Sequence, residues 1–274
     1  MPTYPALQID GADHDLVLAV IDDAGPLGAE DRGTSLTVFF QTPTERSAAR
    51  AAVAQAMPHA TLTDREIDDE DWARRSQENL PPIVVGQITV RSTRSTADSL
   101  EVVIQPSMGF GTGHHATTRL CLAALQRLDL RNCTVLDVGT GSGVLAIAAR
   151  ALGADRVLGV DHDPDAVRCA AENLALNPDP RGGNRVAFEL RDLARNALPS
   201  ATVVTANLTG ALLCRAAPSV IGAVKPGGYL ILSGILATER DEVVTAFSRL
   251  QLENEAAEDG WVGLSFNRSI HDTV

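Results

Sequence analysis

The sequence predicts an α/β protein, a Rossmann-like domain on a mostly parallel sheet, preceded by a small α+β domain of ferredoxin-like plan. Three observations carry this. From Leu100 onward, apolar runs of strand length alternate with helical patterns. One strand-to-helix junction, Val135–Ala149, holds three glycines at every second position, Gly139, Gly141 and Gly143. The first 67 residues give shorter elements in the order βαββαβ. A chain of 274 residues is long enough for two such domains.

In the amino-terminal part, Ala6–Asp10 reads as a strand. Asp13 is a good N-cap for a helix to about Asp23, with Leu16, Val17, Val20 and Ile21 at helical spacing. Gly25-Pro-Leu-Gly28 ends it, and Ala29–Asp31 and Ser35–Gln41 read as strands around Gly33. Thr44 is expected to cap an Ala-rich helix ending near Met57-Pro58, and Thr61–Ile67 closes the set. Nothing here looks catalytic, so the module reads as structural or substrate-presenting.

Asp68-Asp-Glu-Asp71 opens a polar helix to about Asn79. It is a solvated helix start favoured by the dipole, with gripping a basic substrate as its other use. Pro81-Pro82 stops that helix, Ile83–Val85 and Ile88–Arg91 are short strands, and Ser92–Ser99 is a polar loop. This divides the chain into a ferredoxin-like domain (1–67), a linker region (68–99) and the larger α/β domain (100–274). Strands are expected there at 100–104, 133–138, 155–160, 185–190, 201–206 and 228–233, with a closing hairpin at 251–257 and 261–267. Helices are expected near 116–128, 143–151, 164–176, 210–222 and 237–249.

The glycine junction reads as a buried strand, a tight turn and a helix start. Glycines serve where the backbone takes positive φ or lies against a ligand, and the helix start offers unpaired N–H groups. The string is not a dinucleotide fingerprint, because Val144 stands where its third glycine belongs, and no G-K-[ST] follows for a P-loop. Asp137 lies inside the motif. A pyrophosphate would be repelled by it, whereas a ligand with a positive amino-acid part is favoured. Asp161, after the next strand, is placed to take both hydroxyls of a ribose. Asp192, past the following strand, is placed for an adenine amino group or is an ordinary loop acid. Together these favour S-adenosylmethionine, with S-adenosylhomocysteine as its product.

A net charge of −12 argues against a large phosphate-binding surface and suits a basic protein partner, or simply solubility. No direct nucleic-acid or membrane partner is expected, since no run approaches the roughly 18 apolar residues of a span. The amino terminus lacks the basic and apolar segments of a signal peptide. Cys121, Cys133, Cys169 and Cys214 form no metal-type cluster and read as reduced thiols in a cytoplasmic protein. Asp161-His162-Asp163 is adjacent rather than convergent, so no metal is expected.

Two further strings, Gly109-Phe-Gly-Thr-Gly-His-His-Ala-Thr-Thr118 and Ala206-Asn-Leu-Thr-Gly210, accompany Val135–Gly143, Asp161 and Pro226–Ile235. With them the chain resembles the ribosomal protein L-eleven methyltransferase family, PrmA, closely over residues 100–267 and more loosely before them. The resemblance implies a seven-stranded class I methyltransferase domain that uses S-adenosylmethionine, and a substrate-recognition role for the amino-terminal domain. It further implies methylation of amino groups, of lysine or the N-terminus, on a large-subunit ribosomal protein. Carried over position by position, it assigns Thr118, Gly139, Asp161 and Asn207 to the cofactor site, and Thr112 and Gly113 to closing over it. The chain departs from the family's usual residues at His114, Ala116 and Leu208-Thr-Gly210.

The sulfonium supplies the leaving group, so the protein mainly aligns an in-line attack. Asn207, at a strand end beside the methyl group, can accept an N–H from the incoming amine. No side chain obviously acts as a strong base, and His114 and His115 read as loop-ordering residues ahead of proton acceptors. Three rivals stand: a methyltransferase with another substrate, a non-enzymatic S-adenosylmethionine-binding module, and a nicotinamide-dependent oxidoreductase. Thr118 and Asn207 oppose the second, and Val144 and Asp137 the third.

Overall fold

A computed structural model describes residues 3–21, 24–31, 33–68, 81–95, 100–105, 115–179, 185–193 and 196–270. The chain forms two compact units, Met1–Asn79 and Leu80–Val274.

In the first unit, β1 (Thr3–Asp10), α1 (His14–Ile21), β2 (Gly28–Asp31), β3 (Ser35–Phe39), α2 (Pro43–Ala56) and β4 (Thr61–Asp68) follow in order. The strands form one antiparallel sheet, β2-β3-β1-β4, so the first and last strands of the unit are neighbours. Alternate residues Leu7, Ile9, Leu36 and Val38 bury one sheet face against Val17, Ile21, Ala49 and Val53 of the helices. Each such side chain contributes roughly 1.5–3 kcal/mol.

Helix α2 starts two residues earlier than Thr44 predicts. Thr42 is the N-cap: its hydroxyl takes the Glu45 N–H at 3.3 Å, and the Glu45 carboxylate takes the Thr42 N–H at 2.9 Å. The reason is Pro43, which lacks an N–H and has a preset φ, and therefore suits the first helical position. The Asp68–Asn79 helix start and polar helix lie outside the described residues beyond Asp68.

In the second unit, β5 (Ile83–Val85), β6 (Ile88–Arg91) and β7 (Leu100–Val103) make a separate three-stranded sheet, β5-β6-β7. This corrects two expectations. Residues 83–91, read within a linker, are paired elements of the second unit, and the strand at 100 does not join the main sheet. Both follow from one long-range pairing, β6 alongside β7 in parallel, which the polar stretch between them hides from a local reading.

The main elements follow: α3 (Ala116–Leu125), β8 (Thr134–Val138), α4 (Val144–Ala151), β9 (Arg156–Asp161), α5 (Pro164–Ala175) and β10 (Val186–Leu190). Then come β11 (Ala201–Asn207), α6 (Gly210–Ala223), β12 (Val224–Leu236), α7 (Arg240–Ala246), β13 (Gln251–Glu258) and β14 (Trp261–Asn267). They form a seven-stranded sheet, β10-β9-β8-β11-β12-β14-β13. The five strands from β10 to β12 are parallel, and β14 and β13 form the antiparallel hairpin.

Period-2 alternation assigns the two faces. Leu136, Val138, Val204 and Ala206 pack with α6 and α7, whereas Val135 and Val203 pack with α3 and α4. The strand order reverses between β8 and β11. In an open sheet that reversal leaves a crevice outside the carboxyl ends of those two strands. Val138 and Asn207, the residues that lead into the two loops flanking it, are therefore placed by topology.

The α2 start yields the first prediction. Thr42→Ala removes one side of the capping box and should lower the first unit's stability by about 1 kcal/mol, measured as a shift of its denaturant midpoint at unchanged slope.

Candidate active site

The chain leaves β8 through three residues in the left-handed region: Gly139 at φ 70°, Gly141 at 52° and Gly143 at 82°. L-residues reach that region only at a cost of roughly 1–2 kcal/mol each. The Gly139 and Thr140 N–H groups both donate to the Val160 carbonyl, at 2.8 and 3.0 Å, so the turn folds over the end of β9. A Cβ at Gly139 would run into the Leu208 side chain, and one at Gly143 would meet Phe188 Cζ at 2.9 Å. Gly143 precedes α4 without a side-chain cap of its own, and the Ala146 N–H in the first turn is taken by the Asp137 carboxyl.

Asp161 ends β9 above this turn, with its side chain 10 % exposed. Its Oδ2 accepts the Gly141 N–H at 3.0 Å, and its Oδ1 accepts the Asp163 N–H at 3.1 Å. The carboxylate is thus oriented before any ligand arrives, and each oxygen keeps further lone pairs for a donor such as a hydroxyl. Asp163 itself caps α5, with Pro164 at the first position. The Arg191 N–H donates to the Asp161 carbonyl at 2.7 Å, which sets Asp192 at the same end of the sheet, where its own N–H donates to Asn196 Oδ1 at 3.0 Å.

Asp137 is the fourth residue of β8. It is 1 % exposed, and burial pushes its carboxyl above the usual carboxylate range. Its oxygens accept the Thr140 hydroxyl at 2.7 Å and the Thr205 hydroxyl at 2.6 Å. Asp137 and Thr205 are paired residues of β8 and β11, on the sheet face of Val135 and Val203 that α3 and α4 cover. Asp137 therefore acts on the site by tying the glycine turn to β11, two residues before Asn207.

Asn207 ends β11 and is half-buried, and its side-chain amide makes no hydrogen bond to another described residue. The loop after it is held by the Leu208 N–H on the Ser233 carbonyl at 3.0 Å. Gly234, at φ 83°, leaves room for that loop, since a Cβ there would strike the Leu208 backbone. The Leu208 side chain in turn lies against Gly139, so the two strand-end loops meet across the crevice.

Thr112, Gly113 and His114 lie outside the described residues. Thr118 is buried in the first turn of α3. His115 is the N-cap: its Nδ1 accepts the Thr117 N–H and lies 2.8 Å from the Thr117 hydroxyl. The His115 ring meets Trp261 edge-on, with centroids 4.8 Å apart, while Arg119 bonds Glu258 and Asp259 of the closing hairpin. The helix start is thereby clamped to β13 and β14. Burial, and then the Arg119 charge, lower the His115 pKa, so the ring stays neutral and can cap. Thr140, Thr205, Leu208 and Trp261 were not identified from sequence, because each meets its partner through non-local pairing. No group of three or more metal-ligating side chains occurs among the described residues.

A profile described as "Ribosomal protein L11 methyltransferase (PrmA)" matches residues 18–269. The chain belongs to that family. A ribosomal protein L11 methyltransferase of Deinococcus radiodurans is 36 % identical over 267 residues, covering 92 % of this chain and 93 % of its own. One from Geobacter sp. (strain M21) is 41 % identical over 216 residues, covering 74 % and 69 %. Among solved structures, ribosomal protein L11 methylase from Lactobacillus delbrueckii subsp. bulgaricus matches with a TM-score of 0.60 at 26 % identity, covering 69 % of this chain and 97 % of that one. This PrmA-family chain thus has a class I methyltransferase fold and S-adenosylmethionine as its cofactor. The turn's geometry fits that group: glycines in the left-handed region at the end of β8, a helix starting at Gly143, and an Asp161 carboxylate oriented by the Gly141 and Asp163 N–H groups.

The His115 cap gives a pH prediction. Its folded pKa lies below the unfolded value of about 6.5, so the unfolded chain binds more protons in the window between them. Stability from this group is complete above pH ~6.5 and is lost as pH falls through the folded value. The melting temperature of wild type minus that of His115→Gln should shrink between pH 7 and pH 5; a difference that stays flat contradicts the neutral-cap assignment.

Proposed function

We propose that this chain transfers methyl groups from S-adenosylmethionine to amino groups, on lysine, the N-terminus or both, of the large-subunit ribosomal protein L11. The carrying observation is the amide of Asn207 at the switch-point crevice, which bonds no other described residue, beside the glycine turn and Asp161. When bound, the cofactor supplies an activated methyl on a sulfonium leaving group. The chain's own residues then have three tasks. Asp161 and the Gly139–Gly143 backbone hold the nucleoside and the amino-acid part, with Thr118, Asp192, Thr112 and Gly113 proposed as further cofactor-binding residues. Asp137 keeps the turn in register with β11. Asn207 accepts an N–H from the amine through its side-chain oxygen, which aims the nitrogen lone pair.

The nucleophile must be neutral, and a free lysine, with a pKa near 10.4, is mostly protonated at pH 7. His115 Nδ1 is already engaged with Thr117, which supports orientation rather than proton abstraction as its role. A net charge of −12 suits a basic protein substrate and not a nucleic acid. The amino-terminal unit, with its ferredoxin-like sheet, is proposed as the substrate-recognition module, residues 1–67. A ribosomal substrate places the reaction in the cytoplasm.

Two variants separate the roles. Asp161→Ala should weaken S-adenosylhomocysteine binding about 100-fold or more by calorimetry; unchanged affinity removes the ribose role. Asn207→Ala should leave that affinity within about threefold while turnover on undermodified L11 falls about 100-fold. Wild-type turnover in this variant would refute the positioning role, and no label transfer to L11 by wild type would refute the substrate.

A further inference from the structure

Asn173, on α5, is 1 % exposed, yet it carries a full amide. Its Nδ2 donates to the Ser142 carbonyl, in the glycine turn, at 2.9 Å. Its Oδ1 accepts the Gln105 N–H at 2.9 Å. Gln105 follows β7 and immediately precedes the stretch that carries Gly109–His114. One buried side chain therefore bonds both the turn assigned to the cofactor and the chain that enters the second glycine string.

Four residues on, just beyond the end of α5, Asn177 donates to the Asn173 carbonyl at 2.7 Å and makes a different connection with its other bonds. Its Oδ1 takes the Val103 N–H at 2.8 Å, and its Nδ2 donates to the Val103 carbonyl at 2.7 Å. These bonds give β7 a second neighbour in place of a strand, but they do not reach the glycine turn. The two asparagines thus divide a task. Asn177 holds the strand to the helix, and Asn173 couples the strand's exit to the turn.

We propose that Asn173 is a positioning residue for cofactor binding, fixing the Ser142 peptide of the glycine turn relative to the Gln105 entry of the Gly109–His114 string. A buried amide with both ends engaged leaves the turn little freedom, because any shift of Ser142 would orphan a polar group in the interior. Reversing one end is the direct perturbation. Asn173→Asp keeps size and shape and can still accept from Gln105, but it presents a carboxylate oxygen to the Ser142 carbonyl. This inference rests on the glycine turn being the cofactor site.

The test titrates the full-length protein with S-adenosylhomocysteine and follows L11 methylation. Asn173→Asp and Asn173→Ser should each raise the dissociation constant about tenfold or more, and the cofactor KM with it, while kcat at saturating cofactor stays within about threefold. Asn177→Ala, which loosens β7 without touching the turn, should shift affinity less than about twofold even where it lowers the melting temperature as much. Wild-type affinity in both Asn173 variants, an equal loss in Asn177→Ala, or failure of both Asn173 variants to fold would each overturn the positioning role. Asp161→Ala reads the underlying site: if it too binds as wild type, the glycine-turn assignment fails. If Asp161→Ala is weakened while the Asn173 variants are not, this inference alone fails.

Discussion

A carboxylate with 1 % exposure, Asp137, is the constraint on which the site depends. A carboxyl group in the interior costs free energy unless donors replace its water. Here two threonine hydroxyls, one from the glycine turn and one from β11, and the Ala146 N–H do so. The arrangement works in both directions. The hydroxyls stabilise the acid, and the acid obliges Thr140 and Thr205 to hold their places. Because Thr140 lies between Gly139 and Gly141, the turn is locked from within. Because Thr205 precedes Asn207 by two residues on the same face, the amide at the next strand end is locked with it.

Around that point the crevice is assembled from strand ends rather than from one continuous segment. The Val160 carbonyl receives two turn N–H groups, Asp161 receives a third, and Leu208 packs down on Gly139. The start of α3 is fixed from the far edge of the sheet, through His115 on Trp261 and Arg119 on the hairpin acids. Left-handed glycine φ values, buried hydroxyls and an N-cap imidazole are each a modest local preference. Together they fix the strand ends and loops that border the switch point.

Much of this was legible in the sequence, for identifiable reasons. Positive φ is recorded in residue identity, so Gly139, Gly141 and Gly143 announced the turn. The alternation of strand and helix periods marked the main elements, and Asp163-Pro164 marked the start of α5. The hydrogen bonds of Asp137 were not legible, because an acid on a strand looks the same whatever its cross-strand partner. Its face is decided by its β11 partner, which lies 68 residues away. The 83–91 strands looked like linker because the pairing with β7 is interrupted by a polar stretch. Asn173 went unnoticed as a single amide near the end of an otherwise ordinary helix, because its partners Ser142 and Gln105 lie 31 and 68 residues away.

The most direct test of the account is a crystal structure of the protein with S-adenosylhomocysteine. The account predicts the ligand over the Gly139–Gly143 turn, both ribose hydroxyls within about 2.6–3.2 Å of Asp161 oxygens, the sulfur facing Asn207, and Asp137 still bonded to Thr140 and Thr205. A ligand bound elsewhere, or an Asp137 carboxylate turned out to meet it, would contradict the account.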